Sequence, residues 1–518
     1  MRLGNHFKQI KKKYHNIFFS GISFDHRKIK KNYIFFAVKG NNFDGNNFVP
    51  LAIKNGCKII VSEKNFDEYK KGVLYIHTKN VRKLLAKISF SIFKKKPNNL
   101  IAVTGTNGKS SVSDFYYQIL SLNNKKVVSI GTLGVRSNNF NLNLSNTTMD
   151  PINLSKLLNK LKKKKIENVI LEASSHGLHQ NRLDGLFFSS AIFTNLSQDH
   201  LDYHKNFKNY LNAKLYLFEN LIKKNGFVIT DDKIPEFKKI KKISFKKKLK
   251  LLTFENKNFQ LVSHNYKNTY QILKIKHNNL IHNIRVNLIG KIQIKNILMA
   301  VTAASKSNLD FKKIISVIPK LSPVEGRFEN IGKIKNKSLV FLDYAHTPDA
   351  LQTCLQNIKE QFPDKYISVV FGCGGERDKG KRSKMGKIAS RYADKIYLTD
   401  DNPRKESPSK IREDIKKGIK KDKIIEISNR KKAIAKAISN LNTGNVLIVA
   451  GKGHEKTQQV GNKKIFLSDR QIILSSIKKK NLELSMNLKI NIINERFDKK
   501  ILSSKLILNK ATINSNTV

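Results

Sequence analysis

Short apolar runs alternate with longer amphipathic segments in two stretches of the chain, one between about residues 100 and 320 and the other from 338 onward. The runs of the first stretch are rich in β-branched residues and bounded by turn residues, which is typical of buried parallel strands. They lie at 100–103, 126–130, 168–173, 190–196 and 226–230. Those of the second stretch lie at 338–343, 366–372, 395–399, 423–427 and 445–450. The alternation predicts an α/β protein with two doubly wound parallel sheets.

The rest of the chain departs from this pattern. The first 98 residues contain β-like runs at 33–38, 57–61 and 73–76. They end in a basic, proline-containing linker at 94–99. The more alternating stretch 250–289 predicts a few antiparallel strands inserted before a helix at 293–305, and Pro323 marks the next junction. The predicted domains are therefore 1–98, 99–322 and 323–485, followed by a tail at 486–518 without a recognisable motif.

The charge of the chain is extreme, with 99 Lys and Arg against 39 Asp and Glu and a formal net charge of +60. A nucleic-acid binder is one explanation of such a balance. The lysines are spread along the chain, however, as at 10–13 and 246–248, and no aromatic RNA-binding motif lies among them. We therefore expect a general lysine enrichment without a nucleic-acid partner. A basic surface still attracts acidic small-molecule substrates.

Three cysteines are too far apart in sequence for a metal knuckle and fit a reducing compartment: Cys57, Cys354 and Cys373. The apolar part of the N-terminus, 17–24, is broken by Ser and Gly and followed by Asp25. No secretory or membrane-spanning run is therefore expected. These features predict a cytoplasmic protein without a membrane partner, and we expect a monomer.

The sequence Val-Thr-Gly-Thr-Asn-Gly-Lys-Ser-Ser at 103–111 follows an apolar run and precedes a helical segment at 111–122. A strand, a glycine-containing turn and a helix start together direct backbone N–H groups at a phosphate. In that arrangement Lys109 reaches the terminal phosphates of a nucleotide and Ser110 ligates Mg²⁺. Val103 occupies the position of the first glycine of the full motif, so a solvated turn is the alternative on this segment alone.

Further polar residues follow the predicted strands, where open α/β sheets bind ligands. Glu172 closes the run at 168–171, so its carboxylate can bind Mg²⁺ from the side opposite Ser110. His200 follows the next strand, and Lys214 lies on the helix after it. Taken singly, Glu172 also fits a helix cap, His200 a core histidine and Lys214 a surface lysine.

Together these motifs resemble the Mur ligase family of ATP-dependent amide-forming enzymes, in consistent order from about residue 20 to about 475. The resemblance implies an N-terminal domain for the uridine end of a UDP-sugar, a central ATPase domain and a C-terminal Rossmann-like domain. It also implies the reaction. The D-Glu γ-carboxylate of UDP-N-acetylmuramoyl-L-alanyl-D-glutamate attacks ATP, and an amino acid then attacks the acyl phosphate, in peptidoglycan precursor synthesis.

The resemblance further implies Mg²⁺ and a CO₂-derived carbamate on Lys214, since a carbamate supplies oxygen ligands where an ammonium repels the metal. The candidate metal-site residues are Ser110, Glu172, His200 and Lys214 as its carbamate. The candidate catalytic residues are Lys109, His200 and Lys214.

The same resemblance implies binding residues at the positions of this sequence that match the family's motifs. Those for ATP are Gly105, Thr106, Asn107, Gly108, Lys109, Ser110, Ser111, Asn296, Arg327, Asp343 and His346. Those for the UDP-sugar-peptide are Phe24, His26, Asn41, Asn42, Phe43, Asn146, Thr147, Thr148, Ser174, Gln180 and Arg182. His26 stands where a Ser is usual in the family, and Gln293 replaces a family Asn.

Three C-terminal motifs, each after a predicted strand, resemble the family's pocket for the incoming amino acid. Their residues are Arg377, Asp401, Asn402, Pro403, Arg404, Gly451 and Glu455. The guanidinium of Arg404 can hold the distal carboxylate of meso-diaminopimelate through two parallel hydrogen bonds, and L-lysine lacks that carboxylate. The expected amino acid is therefore meso-diaminopimelate.

Two alternatives remain open. One is a sister ligase on the same ATPase core, either a lysine-adding enzyme, against which Arg404 argues, or a folylpolyglutamate synthetase-like protein, against which the uridine-site segment argues. The other is a basic phosphate-loop ATPase that binds nucleic acid, which predicts tight and salt-sensitive binding to DNA or RNA.

Overall fold

The computed structural model describes residues 1–8, 10–40, 43–66, 68–253 and 259–487. The chain divides into two compact units, Met1–Val324 and Glu325–Val518. Each unit contains a sheet of mainly parallel strands with helices between them, which confirms the predicted α/β class. The three domain boundaries predicted from the sequence remain a prediction. Among the helices of the described residues, none is both long and apolar enough to cross a membrane.

The first sheet of unit one has the strand order β1-β2-β3-β5-β4. Its strands are β1 Gly21–Ser23, β2 Tyr33–Phe36, β3 Ile59–Ser62, β4 Tyr69–Lys70 and β5 Val73–His77. Only β4 pairs antiparallel among them. The accompanying helices are α1 Val49–Lys54 and α2 Val81–Ile92. The continuous apolar runs of β2 and β3 are buried, as in a sheet covered on both faces.

The second sheet of unit one has the order β13-β12-β11-β6-β10-β7-β8-β9. Its strands are β6 Asn99–Thr104, β7 Val127–Gly131, β8 Gly134–Ser137, β9 Asn141–Leu142, β10 Asn168–Glu172, β11 Phe188–Phe193, β12 Ile222–Thr230 and β13 Lys250–Thr253. The strands from β13 to β7 run parallel, and β8 and β9 continue the edge antiparallel. Because β6 lies in the middle of the sheet, its carboxyl end is flanked by the ends of β10 and β11.

Helices cover both faces of this sheet. They are α3 Lys109–Leu122, α4 Pro151–Lys163, α5 Ser175–His179, α6 Leu201–His204, α7 Phe207–Asn220, α8 Phe237–Lys246, α9 Lys291–Ser305 and α10 Phe311–Val317. One apolar core packs α3, α9 and α10 on one face, and a second packs α4, α7 and α8 on the other. A third cluster joins α2 to the first turn of α4, through Val81, Leu85, Ile88 and Ile152.

The stretch 250–289 differs in part from the sequence prediction. Three strands are antiparallel, as expected, and form a separate sheet: β14 Phe259–Lys267, β15 Tyr270–His277 and β16 Leu280–Val286. The first segment, β13, instead pairs parallel with β12 at the edge of the main sheet. An alternating pattern of apolar and polar residues does not distinguish a parallel from an antiparallel strand, because the direction of pairing depends on which strand lies beside it in the sheet.

Unit two contains a sheet of order β17-β18-β22-β19-β20-β21 and a two-stranded hairpin. The strands are β17 Glu329–Lys333, β18 Leu339–Asp343, β19 Ile367–Phe371, β20 Lys395–Leu398, β21 Ile424–Glu426, β22 Val446–Ala450, β23 Thr457–Val460 and β24 Lys463–Phe466. The helices are α11 Pro348–Gln361, α12 Lys381–Tyr392, α13 Pro408–Lys416, α14 Arg430–Ser439 and α15 at 469–487. The five parallel strands match the predicted runs, whereas the antiparallel edge strand β17 and the hairpin β23–β24 were not predicted.

A fully buried ion pair connects three elements of unit two. The guanidinium of Arg430 donates to both carboxylate oxygens of Asp469, at 2.8 and 2.7 Å, and neither side chain is exposed. Nη2 of Arg430 also donates to the carbonyl of Ala450, at 2.9 Å. The pair therefore joins the starts of α14 and α15 to the carboxyl end of β22.

We predict that Asp469→Ala lowers the free energy of unfolding of unit two by about 3–5 kcal/mol, because it leaves a buried guanidinium without a counter-charge. Urea unfolding followed by fluorescence or circular dichroism measures this change. Asp422→Ala is the matched control, since it removes an exposed carboxylate of the same unit; we expect a change within about 0.5 kcal/mol. Equal unfolding midpoints for the two variants would contradict the prediction.

Candidate active site

The loop between β6 and α3 has the geometry of a phosphate-binding turn. Gly105 and Gly108 both have positive φ angles, +144° and +86°, and α3 begins at Lys109. A Cβ on Gly105 would lie 1.9 Å from Oγ1 of Thr194, and one on Gly108 would lie 2.7 Å from Oδ1 of Asn296. Both glycines are therefore required by close packing as well as by backbone conformation. The N-terminus of α3, with the positive end of its helix dipole, completes a site suited to an anion.

Two lysine side chains converge on this loop. Nζ of Lys109 donates to the carbonyls of Gly105, at 3.0 Å, and Thr106, at 2.7 Å. Nζ of Lys214, on α7, donates to the same Gly105 carbonyl at 2.6 Å, and its side chain is buried. Burial lowers the pKa of Lys214 well below its ordinary value, and the charge of Lys109 lowers it further, against the opposing effect of Asp199. The environment of Lys214 thus favours the neutral amine.

Aromatic residues surround the Lys214 amine. The ring of Tyr210 lies 4.5 Å from Nζ, and its hydroxyl is 3.0 Å from Oγ1 of Thr106. The imidazole of His200 lies 6.2 Å from the Tyr210 ring, and its Nε2 lies 3.3 Å from Oδ2 of Asp199. His200 has a φ of +54°, a left-handed conformation that is uncommon outside glycine. The predicted residues Lys214 and His200 thus flank the same aromatic ring near the loop.

The Glu172 carboxylate is held in a defined orientation beside the loop. Glu172 ends β10 directly opposite Val103 of β6, and its side chain is buried. Its two oxygens accept hydrogen bonds from the N–H and the hydroxyl of Thr132, at 2.9 and 3.0 Å. A Cβ on Gly131 would lie 2.2 Å from Oε1, so this glycine makes room for the carboxylate.

The donor set here suits a hard divalent cation. Ser110 lies in the first turn of α3, and the oxygens of Ser110 and Glu172 are of the kind that Mg²⁺ prefers. No group of three or more His, Cys, Asp or Glu side chains close enough to hold a metal occurs within the described residues. A magnesium ion beside Ser110 and Glu172 would therefore need further oxygen ligands that these side chains do not supply, such as those of phosphates or of a carbamate.

Several predicted substrate residues lie together beside α5. Oγ1 of Thr148 accepts from the N–H of Ser174, at 2.9 Å, and contacts Oγ of Ser174 at 3.0 Å. The Arg182 guanidinium donates to the carbonyl of Thr148, at 2.6 Å, and to Oε1 of Gln180, at 2.8 Å. Thr147 contacts Thr132, at 3.1 Å, next to the Glu172 carboxylate.

The predicted uridine segment presents aromatic rings. The imidazole of His26 stacks on Phe48, with centroids 4.5 Å apart and planes 7° apart, and Phe43 contacts Phe48 edge-on. Phe24 and Phe43 are both exposed, at 41% and 71%. Asn146, also predicted as a substrate residue, is exposed and contacts Ser145. The two remaining predicted residues of this set, Asn41 and Asn42, lie outside the described residues.

A cluster of rings beside this region was not predicted. His176 and His179 each contact the rings of Tyr203 and His204, which also contact each other, with centroids between 4.1 and 5.6 Å apart. Burial, followed by the charges of His176 and His179, lowers the pKa of His204 to about 4. The only signal in the sequence is the histidine content of the motifs 172–178 and 193–204. Which of these rings meet depends on the packing of α5 against α6.

In unit two, the ends of β20 and β22 bring the predicted amino-acid residues together. Nδ2 of Asn402 donates to Oε2 of Glu455, at 3.0 Å. The buried Nζ of Lys452, which was not predicted, donates to the same oxygen at 3.0 Å. Arg404 has a φ of +53° and donates through Nη1 to the carbonyl of Gly375, at 2.6 Å. Burial lowers the pKa of Arg404, and the charge of Arg377 lowers it further.

The motif at the end of β18 forms a second polar cluster of unit two. The Arg327 guanidinium lies 4.1 Å above the ring of Tyr344. The Asp343 carboxylate accepts from the N–H groups of Phe328, at 2.6 Å, and Ala345, at 2.8 Å. Burial raises the pKa of Asp343 to about 6, although the Arg327 charge opposes the shift. Nδ1 of His346 lies 2.8 Å from the Tyr344 carbonyl.

Family models match most of the chain. The "Mur ligase family, catalytic domain", the "Mur ligase middle domain" and the "Mur ligase, glutamate ligase domain" match residues 19–90, 103–304 and 326–453. The phosphate loop, its flanking Glu172 and Lys214, and the parallel sheets thus occur within an ATP-dependent ligase fold. The chain belongs to the Mur ligase family, and the resemblance found in its motifs is confirmed.

Individual relatives extend this result. The chain is 40% identical over 471 residues to UDP-N-acetylmuramoyl-L-alanyl-D-glutamate–2,6-diaminopimelate ligase of Rickettsia rickettsii, which covers 90% of this chain and 96% of that protein. The enzyme of the same name from Wigglesworthia glossinidia brevipalpis is 40% identical over 475 residues. A solved structure of such a ligase aligns with a TM-score of 0.67 and 29% identity, over 93% of this chain and 99% of that one. A MurF ligase from Thermotoga maritima, at 19% identity and a TM-score of 0.59, shares the fold.

Proposed function

We propose that this protein adds meso-diaminopimelate to UDP-N-acetylmuramoyl-L-alanyl-D-glutamate at the expense of ATP, in peptidoglycan precursor synthesis. The observation that carries the proposal is the 40% identity over 90% of the chain with relatives named for this reaction. The phosphate loop and the cluster around Arg404 and Glu455 provide the two kinds of site that the reaction requires. The phosphate loop suits a nucleoside triphosphate, and the cluster around Arg404 and Glu455 suits a zwitterionic amino acid.

The reaction proceeds in two displacements. The D-Glu γ-carboxylate attacks the γ-phosphorus of ATP, the bond to the β,γ-bridging oxygen breaks, and ADP leaves with the electron pair. The neutral amine of the amino acid then attacks the acyl carbon, inorganic phosphate leaves, and the ammonium formed loses a proton to give the amide. Lys109 and the α3 N-terminus offset the negative charge on the phosphoryl oxygens in the first step.

We assign Mg²⁺ to the oxygen-rich side of the loop, where Ser110, Glu172, His200 and a carbamylated Lys214 would hold it. When bound, the metal offsets charge on the phosphoryl oxygens. The protein's own residues prepare this position, because Thr132 orients the Glu172 carboxylate through two hydrogen bonds. The UDP-sugar-peptide is assigned to the residues around Thr148, Ser174, Gln180 and Arg182, and the nucleotide to 105–111 and Asn296. The three domains with these roles, and a cytoplasmic monomer, remain predictions.

The surroundings of Lys214 support its carbamylation. Carbamate formation needs the neutral amine, whose nitrogen attacks the carbon of CO₂ with loss of one proton. Burial and the nearby Lys109 charge both favour that neutral form. The product carries a negative charge next to the Lys109 ammonium, so a repulsive pair becomes an attractive one.

The ligation itself is tested with purified protein, ATP, Mg²⁺, UDP-N-acetylmuramoyl-L-alanyl-D-glutamate and meso-diaminopimelate, with the product identified by mass spectrometry. We expect a tripeptide product from the wild type and a loss of about 1,000-fold or more in kcat for Lys109→Ala, which removes a charge directed at the transferred phosphate. Lys125→Ala, an exposed lysine just beyond the other end of α3, is the matched control and should remain active. Nucleic-acid-stimulated ATP hydrolysis without tripeptide formation would contradict the proposal.

We predict that Lys214→Ala is nearly inactive and is partly rescued by small carboxylic acids, which restore an oxygen anion beside the loop. Wild type equilibrated with ¹³CO₂ should show a carbamate carbon signal by NMR that is absent from Lys214→Ala. Lys208→Ala removes an exposed lysine from the same helix and should retain both the signal and the activity. Full activity of Lys214→Ala at low bicarbonate would refute the role of the carbamate.

We predict that Arg404→Ala lowers kcat/KM for meso-diaminopimelate roughly 30- to several-thousand-fold, because the distal carboxylate loses a charge-assisted pair in a buried pocket. The value for L-lysine, which lacks that carboxylate, should change much less. Steady-state assays with both amino acids measure the ratio, with Arg391→Ala, an exposed arginine of the same unit, as control. Equal use of both amino acids by the wild type would rule out this pocket.

A further inference from the structure

Two guanidinium groups from separate elements of unit one converge on a single neutral oxygen. Arg182 follows α5 and donates through Nη2 and Nε to Oε1 of Gln180, at 2.8 and 3.2 Å. Arg82, in the first turn of α2, directs Nη1 at the same oxygen from 3.4 Å. Its Nη2 donates to the carbonyl of Lys39, at 2.7 Å. Arg82 is 98 residues away from Gln180 in sequence and was not among the predicted site residues.

The acceptors around this arginine pair do not neutralise it. An amide oxygen has two lone pairs, yet Oε1 of Gln180 faces three N–H donors. The other two acceptors of these guanidinium groups, the carbonyls of Lys39 and Thr148, are also uncharged. Within the part of the chain that the structure describes, the hydrogen bonds of both guanidinium groups go to uncharged oxygens. Two cations are thus held close together among neutral acceptors, which is the arrangement of an anion site.

The electrostatics agree with this geometry. Burial lowers the pKa of Arg82 and of Arg182, and the charge of Arg82 lowers that of Arg182 further. Asp150 and Tyr203 oppose the lowering of the Arg182 pKa, and Tyr203 and Glu63 oppose the lowering of the Arg82 pKa, without reversing either shift. An anion between the two guanidinium groups would relieve both the mutual repulsion and the loss of solvation.

The position of Arg82 is fixed by regular structure. Asn80 caps α2 through the N–H of Lys83, at 2.8 Å, and its Nδ2 donates to Oδ1 of Asn181, at 3.2 Å. An apolar cluster packs α2 against Ile152 in the first turn of α4. Arg82 is therefore presented by a packed helix N-terminus, beside residues that carry the substrate in our proposal.

We infer that Arg82 is a further binding residue for the UDP-sugar-peptide and that, with Arg182, it holds an anionic group of that substrate. The inference rests on the proposed function, which assigns Gln180 and Arg182 to the same ligand. The group is either the diphosphate or a carboxylate of the peptide, since a planar guanidinium pairs with both through two parallel hydrogen bonds.

Calorimetric titration with four ligands tests the inference and separates the two anions. The ligands are uridine, UDP, UDP-N-acetylmuramoyl-L-alanine and UDP-N-acetylmuramoyl-L-alanyl-D-glutamate. If Arg82 holds the diphosphate, Arg82→Ala weakens UDP binding roughly 10- to 100-fold and leaves uridine binding unchanged. If it holds the D-Glu carboxylate, only binding of the complete ligand weakens. Unchanged affinity for all four ligands, or equal losses that include uridine, would overturn the inference.

Two further variants distinguish the loss of a binding contact from a purely structural effect of the substitution. Arg82→Lys keeps the charge but loses the planar fork, so we expect a loss between those of wild type and Arg82→Ala for the same ligand. Lys87→Ala removes an exposed lysine from the same helix and should match the wild type. In steady-state assays, Arg82→Lys should raise KM for the UDP-sugar-peptide and leave KM for ATP unchanged.

The outcome also separates this inference from the proposed function. A wild type that forms no tripeptide would contradict the proposed function itself. An active wild type whose Arg82→Ala and Arg82→Lys variants bind all four ligands like Lys87→Ala would refute the role of Arg82 alone.

Discussion

The central constraint on this protein is the positive charge gathered at one backbone carbonyl, that of Gly105. The side chains of Lys109 and Lys214 both donate to it, and burial of Lys214 disfavours a second ammonium there. An anion would resolve this conflict, and in our proposal it is a phosphate on the loop or a carbamate on the buried amine. The loop glycines, the α3 N-terminus and the oriented carboxylate of Glu172 are all arranged around that position. The chemistry of the site thus follows from charge compensation in a buried setting.

Parallel pairing determines which residues can take part. The strands β6 and β10 lie side by side with Val103 opposite Glu172, so the phosphate loop and the carboxylate emerge at the same edge of the sheet. The space there is small, as the close approach of Gly105 to Thr194 and of Gly131 to Glu172 demonstrates. Side chains larger than hydrogen at these glycines would displace Thr194 and Glu172. Packing and function are therefore coupled at this edge.

The net charge of +60 says little about function by itself, since most of the lysines lie on the surface. The informative cations are those withdrawn from water. Arg82 and Arg182 share one amide oxygen, and Arg404 donates to backbone carbonyls in a half-buried pocket. Arginine suits these positions because its fixed fork can exchange a neutral acceptor for a carboxylate or phosphate without rearrangement. Burial, rather than abundance, thus distinguishes the cations to which we assign substrate binding from the lysines on the surface.

The sequence alone determined the helices, strands and loops that are marked by a pattern of neighbouring residues. The helix predicted at 111–122 occurs as Lys109–Leu122, and the phosphate loop is recognisable from its order of strand, glycines and lysine. The tertiary structure decided which distant residues meet. It placed Arg82 beside Gln180 and Lys452 beside Asn402, and it paired β13 parallel with β12 within a stretch predicted to be antiparallel. These contacts have no local signature, because they depend on strand order and helix packing, which a pattern of neighbouring residues does not encode.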